Sequence, residues 1–527
     1  MTSSLNKKLD TTVSKQRFLS IFKSWSIRIL ILSSILELVL FPELPVLVGI
    51  AYSVIGWLIV YNIVLNEKTI NNYPLSSLVV LGYGLCNFYL PMPATLLELK
   101  PITYNLTVPY SVFFHGIMSL SIVAISFRIY IHFANTKLVS PARRLLKYSG
   151  FYTSPDDLQI WLMGLVGIIS LFVLYYAGIH TEEGESSSSK LIQGFFPFAY
   201  CPYFLFFKNL YSGTPKRRNN IYIFVAYSLI ILLLAFMTNH RATFMKVVMG
   251  LCFTYLLSLL MNRISPDIFS GKKIAAYVII VYLLTGPLVN LGLAMVTVRA
   301  QKKETSSIDM ISKTIDVFFN EEALNQTRKK MEGVIVTNYL WDEHYVDNIF
   351  LARLCNLKAS DLNLYHAERI DDSTPMREFL GNFVLALFPS PLLQILDITI
   401  DKKQIMKASY GDYLYYLSTG DYNGLESKRQ SQVNGAGIAA FGYLYLLLLA
   451  LVIIPVFYAV DLLSFRHDKR QFITVPALTI MPMLMTFFNY EGISTFLGFI
   501  IRGWIQMVVV YIILFRLTGF ISKIFKI

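Results

Sequence analysis

Long apolar runs separated by short polar links constrain this chain more than any other feature of its sequence. A helix needs about 20 mostly apolar residues to cross the roughly 30 Å hydrocarbon core of a bilayer, and the chain offers about twelve such runs. They lie near residues 25–41, 44–65, 73–92, 108–133, 158–179, 191–208, 220–237, 243–261, 274–297, 435–462, 472–488 and 494–516. Only 15% of the residues are charged, whereas soluble domains carry about a quarter. The sequence therefore predicts an all-α polytopic integral membrane protein.

The distribution of Lys and Arg predicts how the runs are oriented. If the N-terminus is cytoplasmic, the basic links "FANTKLVSPARRLLKYSG", "FKNLYSGTPKRRNN", "NRISPDIFSGKK" and "SFRHDKRQ" all fall inside, and the acidic link "HTEEGESSSS" falls outside. This pattern follows the positive-inside rule and predicts about 12 transmembrane helices with both termini cytoplasmic. The net charge of +13 is then mainly a topology signal, so no nucleic-acid partner is expected. The first run follows five Lys or Arg in 24 residues and lacks a small-residue cleavage site, which predicts a retained span.

Residues 298–434 break the pattern of short links and divide the chain into three parts. Residues 1–297 hold the first nine predicted helices, 298–434 form a large outer loop, and 435–527 hold the last three helices. The loop carries 16 Lys or Arg and 19 Asp or Glu, too evenly mixed for an orientation signal. Its first half has helical periodicity. Its run "MREFLGNFVLALFPSPLLQIL" is interrupted by Pro389 and Pro391, which predicts a helix lying in the membrane surface.

A group of tyrosines follows that run in a Gly-rich stretch of the loop. Tyr410, Tyr413 and Tyr416 are its candidate functional members. Tyrosine rings are ordinary anchors at a membrane interface, and they are also good platforms for the faces of sugar rings. The sequence leaves both readings open, with glycan binding as the functional one.

Charged residues at the outer ends of the predicted helices are the candidate catalytic and substrate-binding residues of the chain. The short link "TNHRA" carries His240 and Arg241, Arg299 ends the ninth run, and Glu491 lies in the last outer link. Arg502 follows Glu491 by about three helical turns, so an unbroken helix would put both on one face. Arginine binds phosphate in bidentate fashion, and His or Glu can take a proton from a hydroxyl. Transporters also collect charged residues within the membrane.

The order of these motifs resembles that of a known family of membrane enzymes. An outer Ser-rich link precedes the aromatic "GFFPFAYCPYFLFFK", then come "TNHRAT", "VTVRAQKK", the loop segment "FVLALFPSPLL", the Gly-rich "VNGAGIAAFGYLYLL" and the last link "NYEGIST". This order resembles the Wzy-type polymerases of bacterial O-antigen and related polysaccharides. Two features depart from it: Arg502 lies three turns, not two, after its Glu-Gly pair, and the loop lacks the spaced Arg/Gly motifs of some members.

The resemblance implies a GT-C-like glycosyltransferase architecture in the bacterial plasma (inner) membrane, with a periplasmic active face. It implies an inverting or retaining transfer of a growing glycan from an undecaprenyl diphosphate donor onto an undecaprenyl diphosphate-linked repeat unit as acceptor. Arg241, Arg299 and Arg502 would then hold the donor diphosphate, with Glu491 or His240 as the base. No metal or cofactor is expected, since related enzymes are metal-independent. Membrane lipids and a polysaccharide chain-length regulator are the other partners implied.

Three other functions remain open at this stage. The first is an O-antigen ligase, which would pass the glycan to lipid A core and for which His344 or His366 of the loop could serve. The second is a lipid-linked oligosaccharide flippase or another secondary transporter, but the chain shows no internal repeat and its one large loop is asymmetric. A glycosyltransferase using a lipid monophosphate ranks below both, because the first outer link contains Glu43 alone.

Overall fold

Helices form nearly all of the regular structure. The computed structural model describes residues 17–134, 141–176, 192–213, 221–237, 242–264, 282, 286–299, 307–327, 341–355, 357–468, 470–489 and 492–524. Before the outer loop, the helices are α1 Arg17–Leu40, α2 Leu44–Ile63, α3 Glu67–Asn72, α4 Pro74–Gly84, α5 Pro91–Leu96, α6 Pro109–Ala134, α7 Pro141–Tyr148, α8 Asp157–Tyr176, α9 Lys208–Tyr211, α10 Ile221–Met237, α11 Ala242–Leu260 and α12 Pro287–Arg299.

The outer loop and the last part of the chain continue the helical pattern. The loop contains α13 Ser307–Phe318, α14 Ile349–Leu354, α15 Leu357–Ala367, α16 Thr374–Ala386, α17 Ser390–Ile395, α18 Lys402–Lys407 and α19 Tyr410–Thr419. The last part contains α20 Val433–Phe441, α21 Tyr445–Asp461, the strands β1 Ser464–His467 and β2 Arg470–Ile473, then α22 Val475–Thr479, α23 Met481–Met485, α24 Ile493–Gly498 and α25 Trp504–Ile524.

Six helical segments of the described chain are long and apolar enough to cross a membrane: Phe18–Leu40, Leu44–Ile63, Pro109–Ala134, Ala242–Leu260, Val433–Asp461 and Ile493–Ile524. This confirms the prediction of a helical membrane protein. The count of about twelve is not confirmed. The run at 191–208 becomes a 3₁₀ helix, Phe196–Phe207, with Pro202 inside it. The run at 472–488 splits into α22 and α23, each with a proline in its first turn.

Local breaks interrupt several of the apolar runs. A π-helical turn, Leu85–Tyr89, separates α4 from α5, and a second one, Phe499–Gly503, separates α24 from α25. Gly442 has a φ of +55° between α20 and α21, a conformation that glycine adopts without steric cost. Pro389 precedes α17, so the predicted proline break of the loop run is confirmed.

A two-stranded hairpin corrects the prediction that all regular structure is helical. β1 and β2 pair antiparallel, with Phe465 opposite Phe472 and Arg466 opposite Gln471. The rings of Phe465 and Phe472 stack across the two strands with centroids 5.6 Å apart, and such cross-strand aromatic pairs stabilise a hairpin. The hairpin occupies the basic link "SFRHDKRQ".

The outer loop is docked on the bundle through the link between α5 and α6. The Asp361 carboxylate is fully buried, and its Oδ1 accepts the backbone N–H groups of Thr107 and Val108 at 2.8 and 2.7 Å. Lys358 Nζ lies 2.8 Å from Asp361 Oδ2. The Tyr345 hydroxyl donates to the Ile102 carbonyl at 2.6 Å. Burial raises the pKa of Tyr345 well above 10, so this phenol stays protonated.

The described links between helices form two groups, one at each end of the bundle, and hydrogen bonds join the links within each group. At one end, the outer loop contacts the α5–α6 link, and Asn489 Nδ2 donates to the Arg353 carbonyl at 3.2 Å. At the other end, Ser154 Oγ donates to the Tyr211 carbonyl at 2.6 Å, and Tyr152 Oη donates to the Leu462 carbonyl at 2.9 Å. The links predicted to lie outside gather at the first end, and those predicted to lie inside gather at the second.

Candidate functional site

The sequence-predicted residues fall into two groups with respect to the structure. His240, Arg241 and Glu491 lie outside the described residues. Arg299 is the last residue of α12. Arg502 and the three tyrosines are described. The described elements that flank His240, Arg241 and Glu491 are α10, α11 and α24.

The helices that flank Arg241 and the helix that ends at Arg299 contribute to one apolar cluster, and α13 contacts both α10 and α12. Phe236 near the end of α10 and Phe244 near the start of α11 are 8% and 5% exposed, and both belong to one apolar cluster. Leu291 and Met295 of α12 are buried in the same cluster. The end of α10 and the start of α11 therefore share one cluster with the helix whose last residue is Arg299.

The flanks of the last outer link lie against the outer loop. Gln430 Nε2 donates to the Asn489 carbonyl at 2.9 Å. A Cβ placed on Gly492 would lie 3.6 Å from atoms of both Ala436 and Tyr410. Helix α14 contacts both α12 and the first π turn, and its Arg353 carbonyl accepts the bond from Asn489. Helix α14 thus connects the described segment before Glu491 to α12.

Arg502 lies within the second π turn, which corrects one expectation. The premise of an unbroken helix from Glu491 to Arg502 is wrong, because α24 begins at Ile493 and the turn at Phe499–Gly503 is π-helical. A π turn holds an extra residue, so α-helical spacing no longer gives the face of Arg502. Arg502 is half-buried and makes no hydrogen bond or ion pair in the part of the chain that the structure describes. Such a guanidinium is available for an anion.

A buried polar network that the sequence reasoning missed lies beneath this end of the bundle. Asn87 of the first π turn donates from Nδ2 to Asn489 Oδ1 at 3.2 Å and accepts at Oδ1 from Gln432 Nε2 at 3.2 Å. Gln432 Oε1 is buried and has no partner among the described residues. π turns are frequent at functional sites. The available signal was an amide inside an otherwise apolar run, which usually faces protein and not lipid.

A second set of polar contacts joins α6 to the start of α21. Ser119 Oγ donates to Asn434 Oδ1 at 2.7 Å and lies 3.1 Å from the Tyr445 hydroxyl. His115 Nδ1 lies 3.3 Å from the same hydroxyl. Because every group is buried, these contacts fix the relative positions of α6, α20 and α21.

The three candidate glycan-binding tyrosines differ in exposure. Tyr410 is 1% exposed and packs against Phe379 and Phe383, so its ring is part of the loop core. Tyr413 is half-buried and stacks on Phe379 with ring centroids 4.2 Å apart. Tyr416, also half-buried, meets the exposed Tyr422 edge-on at 5.7 Å. The accessible aromatic surface is therefore formed by Tyr413, Tyr416 and Tyr422, and the choice of Tyr410 is corrected.

The loop histidines make packing contacts of their own. His366 is 1% exposed, stacks on Trp341, and its Nδ1 lies 2.6 Å from Ser418 Oγ. His344 Nε2 lies 3.0 Å from Asp347 Oδ1. Within the described ranges, no group of three or more His, Cys, Asp or Glu side chains could hold a metal ion.

Comparisons with protein-family models, with curated proteins and with solved structures each gave no match.

Proposed function

We propose that the protein is a polysaccharide polymerase that transfers a growing glycan from undecaprenyl diphosphate onto a lipid-linked repeat unit at the outer face of the bacterial plasma membrane. One observation carries the proposal. Helix α13 of the outer loop contacts both α10, which precedes Arg241, and α12, which ends at Arg299, and α14 of the loop contacts α12 and accepts a hydrogen bond from Asn489, two residues before Glu491. The segments that precede Arg241 and Glu491 are distant in sequence, so their association through the loop is a property of the fold.

The demands of the reaction explain why arginines would be needed there. The acceptor hydroxyl oxygen forms a bond to the anomeric carbon of the donor, and the bond from that carbon to the diphosphate oxygen breaks. The electron pair leaves with the lipid diphosphate, whose growing negative charge Arg241, Arg299 and Arg502 would stabilise. The proton of the acceptor hydroxyl passes to Glu491 or His240.

Substitution of Arg241 in cells tests the class of function. With Arg241→Ala, we expect long polysaccharide to disappear while single repeat units still reach the outer face, because flipping precedes polymerisation. Gel analysis of the polysaccharide and surface labelling of the repeat unit measure the two steps. Repeat units trapped on the cytoplasmic side would instead identify a flippase and overturn the proposal.

Arg502 offers a test in the purified protein with a matched control. Arg502→Ala should lower kcat about 10²-fold on a synthetic lipid diphosphate oligosaccharide, the loss typical for one charge-stabilising donor. Arg128→Ala removes an exposed arginine of α6 and should leave the rate unchanged. Equal rates for Arg502→Ala and Arg128→Ala would show that Arg502 does not stabilise the leaving diphosphate.

The choice of acceptor separates polymerase from ligase. A polymerase joins two lipid-linked repeat units in a mixture that contains no lipid A core. A ligase needs that core. Of its two candidate loop histidines, His366 is buried between Trp341 and Ser418, and His344 Nε2 lies 3.0 Å from Asp347 Oδ1. Product formation only in the presence of lipid A core would identify the protein as a ligase and overturn the assignment as a polymerase.

A further inference from the structure

A large cavity lies at the opposite end of the bundle from the proposed active site. Its volume is about 730 Å³, within the range of roughly 300–1,000 Å³ of small-molecule sites. It is lined by α1, by the end of α2 and by Asn262. The neighbouring Arg263 donates to the Gln471 carbonyl of the hairpin, so the cavity shares the end of the bundle that is predicted to be cytoplasmic.

The lining of this cavity favours an anion. Lys23 and Arg28 of α1 supply two positive charges, and Glu67 supplies one negative charge. Neither Lys23 nor Arg28 forms an ion pair in the described part of the chain. Lys23 Nζ lies 4.1 Å from the centre of the Tyr61 ring, which holds the ammonium group at the cavity wall. Ser24 adds a hydroxyl to the same wall.

The helix surface next to the cavity identifies the kind of anion. Ile31, Leu32 and Ile35 follow Arg28 at helical spacing and are 55%, 58% and 53% exposed. The cationic cavity therefore continues into an exposed apolar stripe on one helix. A phosphate headgroup joined to an acyl chain matches both parts, whereas a free phosphate uses only the first.

We propose that the cavity binds an anionic phospholipid of the cytoplasmic leaflet, with its phosphate on Lys23 and Arg28 and an acyl chain along the stripe of α1. Basic pockets between transmembrane helices on the cytoplasmic side recognise such headgroups. Residues 1–16 carry three Lys and one Asp, so their charge has the same sign as the cavity and they are poor competitors for it. The site is separate from the proposed catalytic end.

Native mass spectrometry of the full-length protein in detergent, titrated with phosphatidylglycerol, tests the proposal. We expect one tightly bound phosphatidylglycerol on the wild type. Lys23→Ala/Arg28→Ala should weaken its binding about 30-fold, from the effect of two basic residues near a lipid surface. Arg144→Ala/Lys147→Ala removes one Arg and one Lys from exposed positions of α7 and should leave binding unchanged.

A variant that binds the lipid more tightly than the wild type cannot owe this change to misfolding. Glu67→Gln removes the only carboxylate among the described lining residues and should tighten phosphatidylglycerol binding about five-fold. Equal affinity of Lys23→Ala/Arg28→Ala and wild type would overturn the proposal, as would equally tight binding of zwitterionic phosphatidylcholine. If inorganic phosphate at the same concentration displaces the lipid, the ligand of the cavity is a soluble anion, and the lipid proposal is overturned.

Discussion

At the scale of single residues, buried charges and amides hold the outer loop and the bundle together. Asp361 satisfies two backbone N–H groups and one ammonium group while fully buried. A buried carboxylate is favourable only when such partners compensate for its lost hydration. The contribution of Asp361 is therefore to docking of the loop, and it leaves the proposed chemistry to other residues.

Removing this carboxylate should loosen the loop. Asp361→Ala leaves Lys358 buried without its counter-charge and two N–H groups without an acceptor, which costs about 3–5 kcal/mol. We expect the amides of Thr107 and Val108 to exchange hydrogen at least about 100-fold faster, as measured by hydrogen exchange with mass spectrometry. Asp371→Ala, at an exposed position, is the control. Unchanged exchange at both amides would contradict the role assigned to Asp361.

The sequence could predict single charged residues and could not predict their partners. His240, Arg241 and Glu491 stand out because charge is rare at the ends of apolar runs. Asn87 and Asn489 are 402 positions apart, and nothing local in either segment reveals their hydrogen bond. Tyr410 was misjudged for a related reason, since its burial comes from Phe379 and Phe383, which belong to another helix of the loop.

At the scale of helices, apolar length predicts that a segment enters the membrane and does not predict how straight the helix is. The two π turns interrupt apolar runs that continue through them in the sequence. The prolines are the exception, because the break before α17 follows from the sequence alone. Close approach of helices is likewise set by small residues whose partners the sequence does not identify.

Gly82 lies at a close approach of two helices and gives a test. A Cβ on Gly82 of α4 would lie 2.1 Å from the Met485 carbonyl oxygen of α23, so Gly82→Ala must push the two helices apart. We expect a loss of about 1–3 kcal/mol in the free energy of unfolding, measured by denaturant titration in detergent. Gly381→Ala, with no atom within 4 Å of the added Cβ, should instead stabilise α16 by up to about 1 kcal/mol. A neutral Gly82→Ala would show that the helices can separate without loss.

At the scale of the whole molecule, the two ends of the bundle differ in what they carry. One end holds the docked loop, the buried amide network and the elements around the proposed arginines. The other holds the basic hairpin and the cationic cavity. The distribution of Lys and Arg in the sequence predicts which of these two ends is cytoplasmic, because orientation depends on Lys and Arg close to the spans. The docking of residues 341–432 on the α5–α6 link depends on contacts far apart in sequence and was not predictable.

Cysteine labelling on whole cells tests the division directly. Three of the four native cysteines are buried, so Cys252→Ser gives a background without the exposed one. In this Cys252→Ser background, Tyr422→Cys introduces a cysteine at a 69% exposed position of the outer loop, and Asp468→Cys introduces one at the tip of the hairpin. A membrane-impermeant maleimide should label the first in intact cells and the second only after permeabilisation. Ile395→Cys, replacing an 80% exposed apolar residue of α17, should react poorly with the charged reagent and well with an apolar one, because we expect that helix to lie in the membrane surface. Labelling of Asp468→Cys but not of Tyr422→Cys in intact cells would reverse the orientation of the bundle, and the proposed periplasmic active face would fail.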